Sequence, residues 1–279
     1  MIQAILEFIE KNSTFVSIVT NAFVGIVGFF SNKGWEKLKK TRTIFALRLV
    51  KERDCKIVMP IYENIDLHPK INSKTLFSVN EQSDVLASLN IISLIEKIGL
   101  RFDEEYYVLQ EHCNQVIANS NVFCIGGVVA NEQTKVYFSK FFPEFRIFSK
   151  NIEMKDAKGQ NIYAYNKAKR GFCWGNGKEF TVSEGENYAI LIRLTKEDFN
   201  IKDAGTVYIL FGDKADSTLM ASKYLLCHMD DLLKRTKGKK HFFIVMRIRE
   251  ANGIKNAYFD ENYDLTKEMF PPKNERRRR

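Results

Sequence analysis

The chain has 279 residues, of which 45% are hydrophobic and 28% charged, with a net charge of +9. This is the composition of a folded chain and excludes an intrinsically disordered one. Five cysteines without a CxxC pair exclude a disulfide scaffold or a zinc ribbon and fit a reducing compartment.

Residues 14–30, TFVSIVTNAFVGIVGFF, are apolar and carry no charge. Eight basic residues follow: Lys33, Lys37, Lys39, Lys40, Arg42, Arg48, Lys51 and Arg53. An apolar run with a positive flank on one side predicts a single N-terminal transmembrane helix in the cell membrane, with the C-terminal domain cytoplasmic. Glu7 and Glu10 ahead of the run reverse the charge order of a secretory signal. A buried helix and an in-plane interfacial helix are the competing readings. Ser17, Asn21, Gly25 and Gly28 share one helical face, which predicts close helix approach and a homo-oligomer. Lys33, Lys37, Lys39, Lys40 and Arg42 are placed to meet anionic lipid headgroups, and the run Arg276 to Arg279 adds further charge. Nucleic acid would suit the same charges, but their place beside the apolar run favours lipid.

Residues 56–62, KIVMPIY, predict a strand, 63–79 a loop, and 80–97 a helix stopped by Gly99. A second helix is expected over 103–119. NVFCIGG (121–127) reads as a buried strand ending in a double glycine, with Asn131 capping the helix that stops at Pro143. FRIFSK and NIYAYNK predict strands, and GFCWGNGKEF a turn-rich stretch. YAILIRL (188–194) and TVYILFG (206–212) are apolar strands. A long helix should run from about 216 to 237 with Leu219, Leu226, Met229 and Leu233 buried. HFFIVMRI (241–248) and a hairpin near Gly253 close the chain. Cys124 and Cys227 are expected as small buried thiols. Strands alternating with helices, apolar on both faces, predict a Rossmann-like α/β domain over 55–270, a mostly parallel sheet covered by helices.

Two strand-to-helix junctions carry chemistry. Gly126 and Gly127 precede Asn131, and Gly212 and Asp213 precede Ser217 and Thr218. Glycine at strand ends admits a ligand close to the backbone, and helix N-termini offer amide donors to a phosphate. Neither junction matches a Walker motif or GxGxxG, and glycine there is also ordinary turn chemistry. Trp174, set between glycines with Lys167, Lys169 and Arg170 nearby, could stack on a base or lie half-buried in a hairpin turn. Glu184 and Glu186 are the candidate catalytic carboxylates, and neither stands in a partner motif. No cofactor or metal is implied, and a nucleotide-like ligand or a protein activator is the expected partner.

The anchor ahead of a Rossmann-like domain with glycine loops CIGGVVAN and LFGDKADST resembles the membrane-anchored effectors of prokaryotic antiviral defence. The resemblance implies a sensor domain whose membrane helices assemble and disrupt the bilayer. The alternative is a membrane-tethered nucleotide-processing enzyme, a base–ribose hydrolase or transferase.

Overall fold

The computed structural model describes residues 33–60, 82–107, 120–128, 130–149, 163–165, 170–175, 177–195, 198, 205–251 and 254–270. The chain divides into two compact units, Met1–Phe45 and Ala46–Arg279. The first described residues, 33–46, are helical and form α1.

The second unit is built on a seven-stranded sheet. Its strands in chain order are β1 (Cys55–Val58), β2 (Phe102–Tyr107), β3 (Asn121–Ile125), β8 (Asn187–Leu194), β9 (Val207–Gly212), β10 (Phe242–Ala251) and β11 (Ile254–Asp264). Four intervening strands, β4 (Arg146–Ser149), β5 (Tyr163–Tyr165), β6 (Arg170–Trp174) and β7 (Lys178–Val182), form a second sheet of order β5-β4-β6-β7. The helices are α2 (Gln82–Ile98), α3 (Glu132–Phe141), α4 (Ala215–Cys227), α5 (Met229–Arg235) and the short α6 (Thr266–Met269).

The large sheet has the order β11-β10-β8-β9-β3-β1-β2. It is mixed, not mostly parallel as expected. The pairs β1–β2, β1–β3 and β3–β9 are parallel, whereas β8–β9, β8–β10 and β10–β11 are antiparallel. A strand buried on both faces reads as a continuous apolar run whichever way its neighbour points, so the run alone does not fix direction. The expected transmembrane helix is also corrected: among the described residues no helix is long and apolar enough to cross a membrane. Residues 14–30, including Ser17, Asn21, Gly25 and Gly28, lie outside the described residues.

Alternation along the strands divides the core. Val122 and Cys124 of β3, Ile209 and Phe211 of β9, and Ile190 and Ile192 of β8 share one cluster with α3 and the small sheet. Phe138 sits at its centre, with ring centroids 4.9 Å from Phe145 and 5.4 Å from Phe211. The intervening residues, Phe123, Ile125, Tyr208 and Leu210, are also buried, and α2 and α4 pack together beside these strands.

Three local expectations change. The segment from Phe102 is a strand, not a helix, because it pairs in parallel with β1. The long C-terminal helix breaks at His228 into α4 and α5. The buried face of α4 is Ser217, Thr218, Ala221, Ser222, Tyr224 and Leu225, not the leucine stripe. Small residues there let α2 approach closely, and Asn90 Nδ2 donates to Ser222 Oγ at 2.9 Å. Cys227 is exposed. Gly99 ends α2 as expected, at φ 74°.

Candidate functional site

The carboxyl ends of β1, β3 and β9 lie side by side, and both predicted junctions are there. At the first, Asn131 caps α3: its Oδ1 accepts from the Thr134 amide at 3.0 Å. The same side chain donates through Nδ2 to the carbonyls of Val58 at 3.0 Å and Ile125 at 2.8 Å. One buried amide thus bridges the ends of two parallel strands and a helix. Gly126 and Gly127 are needed for packing: a Cβ on Gly126 would meet Pro60 Cγ at 3.2 Å, and one on Gly127 would meet Phe211 at 3.1 Å. The groups expected to hold a ligand at this junction hold the fold together.

The second junction is similarly self-contained. Ser217 and Thr218 are buried in the first turn of α4. Ser217 Oγ donates to Asp213 Oδ1 at 2.8 Å, and Thr218 Oγ1 accepts from the Gly212 amide at 3.2 Å. Asp213 Oδ1 also accepts from the Tyr188 amide at 3.3 Å. A carboxylate near a helix N-terminus meets the positive end of the helix dipole, so Asp213 supplies from within the negative charge a phosphate would bring. Burial nevertheless raises its carboxyl above the ordinary aspartate value, against the bonds from Ser217 and Tyr188 and the charges of Arg170 and Lys214.

Trp174 is buried, and its indole donates to Glu268 Oε2 at 2.7 Å while the ring lies 5.5 Å from Phe172. That is the hairpin reading of this tryptophan: it closes the β6–β7 turn. Lys167 and Lys169 lie outside the described residues.

Arg170 is a predicted site residue whose charged side chain remains partly open. From the start of β6 it reaches Asn187 Oδ1 at 2.9 Å, the Glu186 carbonyl at 2.6 Å and Asp213 Oδ2 at 3.4 Å. Two arginines that sequence reasoning missed join it. Arg247 Nη1 donates to Glu186 Oε2 at 2.7 Å and Arg249 Nε to Glu186 Oε1 at 2.8 Å. Their signal was present in RIRE at 247–250: arginines two apart on a strand point to one face. Arg247 is further fixed by the Tyr263 hydroxyl at 2.8 Å and by the Phe180 ring at 5.1 Å. The Arg249 hydrogen bond leads in holding the Glu186 carboxyl below its ordinary value; burial opposes it and the Arg247 charge adds to it.

Glu184 is exposed. Among the described residues no group of His, Cys, Asp and Glu could hold a metal ion. Lys37, Lys39, Lys40 and Arg42 lie exposed on α1 with Lys33.

No protein-family model matches the chain, and no curated protein matches it.

Proposed function

We propose that the α/β unit is a binding module for a small anionic, nucleotide-like ligand, taken at the rim where Arg170 meets Gly212 and Asp213. The observation that carries this reading is the gathering of Arg170, Arg247 and Arg249 around Glu186 and Asp213, beside the first turn of α4. Three guanidiniums face two carboxylates there. The outermost, on Arg170 and Arg249, have 36% and 62% of their side-chain surface exposed. Planar guanidinium forks match phosphate oxygens two at a time. Glu186 then acts as an internal competitor that keeps the arginines aligned while the site is empty.

Binding is favoured over catalysis because the nucleophile-type hydroxyls, Ser217 and Thr218, are buried and committed to Asp213 and Gly212. Glu186, held ionised between two arginines, is a poor proton donor at neutral pH.

Titration calorimetry with nucleoside diphosphates, nucleoside triphosphates and pyrophosphate tests it. Arg170→Gln and Arg249→Gln should each weaken binding by roughly tenfold, the loss of one charge-assisted contact. Glu186→Gln should tighten it by releasing two arginines. Absence of heat with every one of these ligands would remove the reading.

A further inference from the structure

We infer that α1 docks in-plane on an anionic lipid surface, an interaction separate from the arginine cluster and not requiring any segment to cross the bilayer. Between residues 33 and 45 the sequence has five basic residues, Lys33, Lys37, Lys39, Lys40 and Arg42, and one acid, Glu36, a net of five minus one or +4. On the same helix Trp35, Leu38 and Phe45 are 68%, 59% and 79% exposed. At 100° per residue these three fall within an arc of about 80°. Lys39 and Arg42 flank or share that arc, whereas Lys33, Lys37 and Lys40 cluster on the opposite side.

Exposed Trp, Leu and Phe in register are costly in water and have no place in a purely electrostatic contact. Nucleic acid would use the cations but leave this apolar arc in solvent. The headgroup layer accommodates both: aromatic rings settle at the acyl boundary, while long lysine chains bend back towards the phosphates. Among the described residues no helix is long and apolar enough to cross the hydrocarbon, which needs about 20 residues, but the stretch 33–46 is long enough to lie along its surface. Charge complementarity therefore selects a membrane rich in anionic lipid as the occupant.

The chain has two tryptophans, Trp35 and Trp174, and only Trp35 is exposed. The full-length protein would be mixed with phosphatidylcholine vesicles, and with vesicles containing about one-third phosphatidylserine. Tryptophan emission would be read with and without brominated acyl chains. With anionic vesicles the emission should shift to the blue and be quenched by bromine, and Trp35→Phe should abolish both changes. Reversing two exposed lysines, Lys37→Glu with Lys40→Glu, should lower vesicle affinity by about tenfold or more. The far-ultraviolet circular dichroism should stay as in wild type. Vesicles captured through another segment would leave Trp35 unquenched, and that result overturns the inference. So does an equal response to neutral vesicles, or a Trp35 shift produced by duplex RNA and not by anionic lipid.

Discussion

Arg170 and Asp213 meet across the seam between the two sheets, the guanidinium Nη1 standing 3.4 Å from the carboxylate Oδ2. Arg170 opens β6 of the small sheet and Asp213 follows β9 of the large one, so this pair ties one layer to the other.

Burial of Asp213, which Arg170 only partly offsets, makes stability depend on pH in a defined direction. Burial raises the Asp213 carboxyl above its ordinary value, so the folded state binds the proton more tightly than the unfolded chain. The stability this contributes is complete below the ordinary aspartate range and is lost as pH rises through the raised folded value. Asp213→Asn, neutral throughout, should remove that loss. Urea midpoints collected between about pH 4 and pH 8 should show a smaller decline for the variant than for wild type. Parallel profiles would mean that Asp213 titrates at its ordinary value.

Gly212→Ala should be among the most damaging single substitutions in the chain. A Cβ there would overlap Ser217 Cβ and stand 2.7 Å from the Tyr188 carbonyl, both on rigid elements. A loss of about 3 kcal/mol or more is expected. Gly177→Ala supplies the contrast. Its φ of 80° is unfavourable for alanine, but nothing stands near the added methyl. There the loss should be about 1–2 kcal/mol, the ordinary left-handed penalty. Chemical denaturation of the two variants side by side checks the ranking.

Asn131→Asp separates capping from latching. Aspartate is as good an N-cap as asparagine, so propensity alone predicts no change. The structure predicts a large one, because the amide hydrogens given to Val58 and Ile125 would be replaced by a carboxylate facing two carbonyl oxygens. Asn131→Asp should cost at least as much as Asn131→Ala, on the order of 2–4 kcal/mol. A near-neutral Asn131→Asp would show that the cap is the whole role of this side chain.

Much of the frame was legible from residue patterns. The apolar runs at 121–125, 188–194, 207–212 and 242–248 are strands because no other element of that length buries on both faces. Asn131 was recognisable as a helix start for the same reason that it caps: its short side chain reaches back to the Thr134 amide. Its second task was not legible, since Val58 lies 73 positions away and only the parallel pairing of β1 with β3 brings that carbonyl within reach. The edge strand at Phe102 was misread because FDEEYY has charges where a buried strand has aliphatics. Long-range pairing decided that segment over local pattern. Ser217 and Thr218 were placed correctly at a helix start, but their burial against Gly212 depends on how tightly α4 packs on β9.

At the amino ends of the parallel strands the stretch 46–54 is laced into the α/β unit by side chains that are themselves buried. Asn121 Nδ2 donates to the carbonyls of Val50 and Arg53 at 2.8 and 3.2 Å, and Tyr208 donates to Leu47 at 2.9 Å. Arg193, 1% exposed, gives one of its donors to Ala46 at 3.2 Å, and Thr206 donates to the carbonyl of Arg48, which is held at φ 56°. The consequence is practical. A fragment started at Cys55, where the first strand begins, would strip acceptors from four interior donors and should precipitate when expressed. One started at Ala46 keeps every one of those acceptors and marks where a protease could cut without unravelling the sheet.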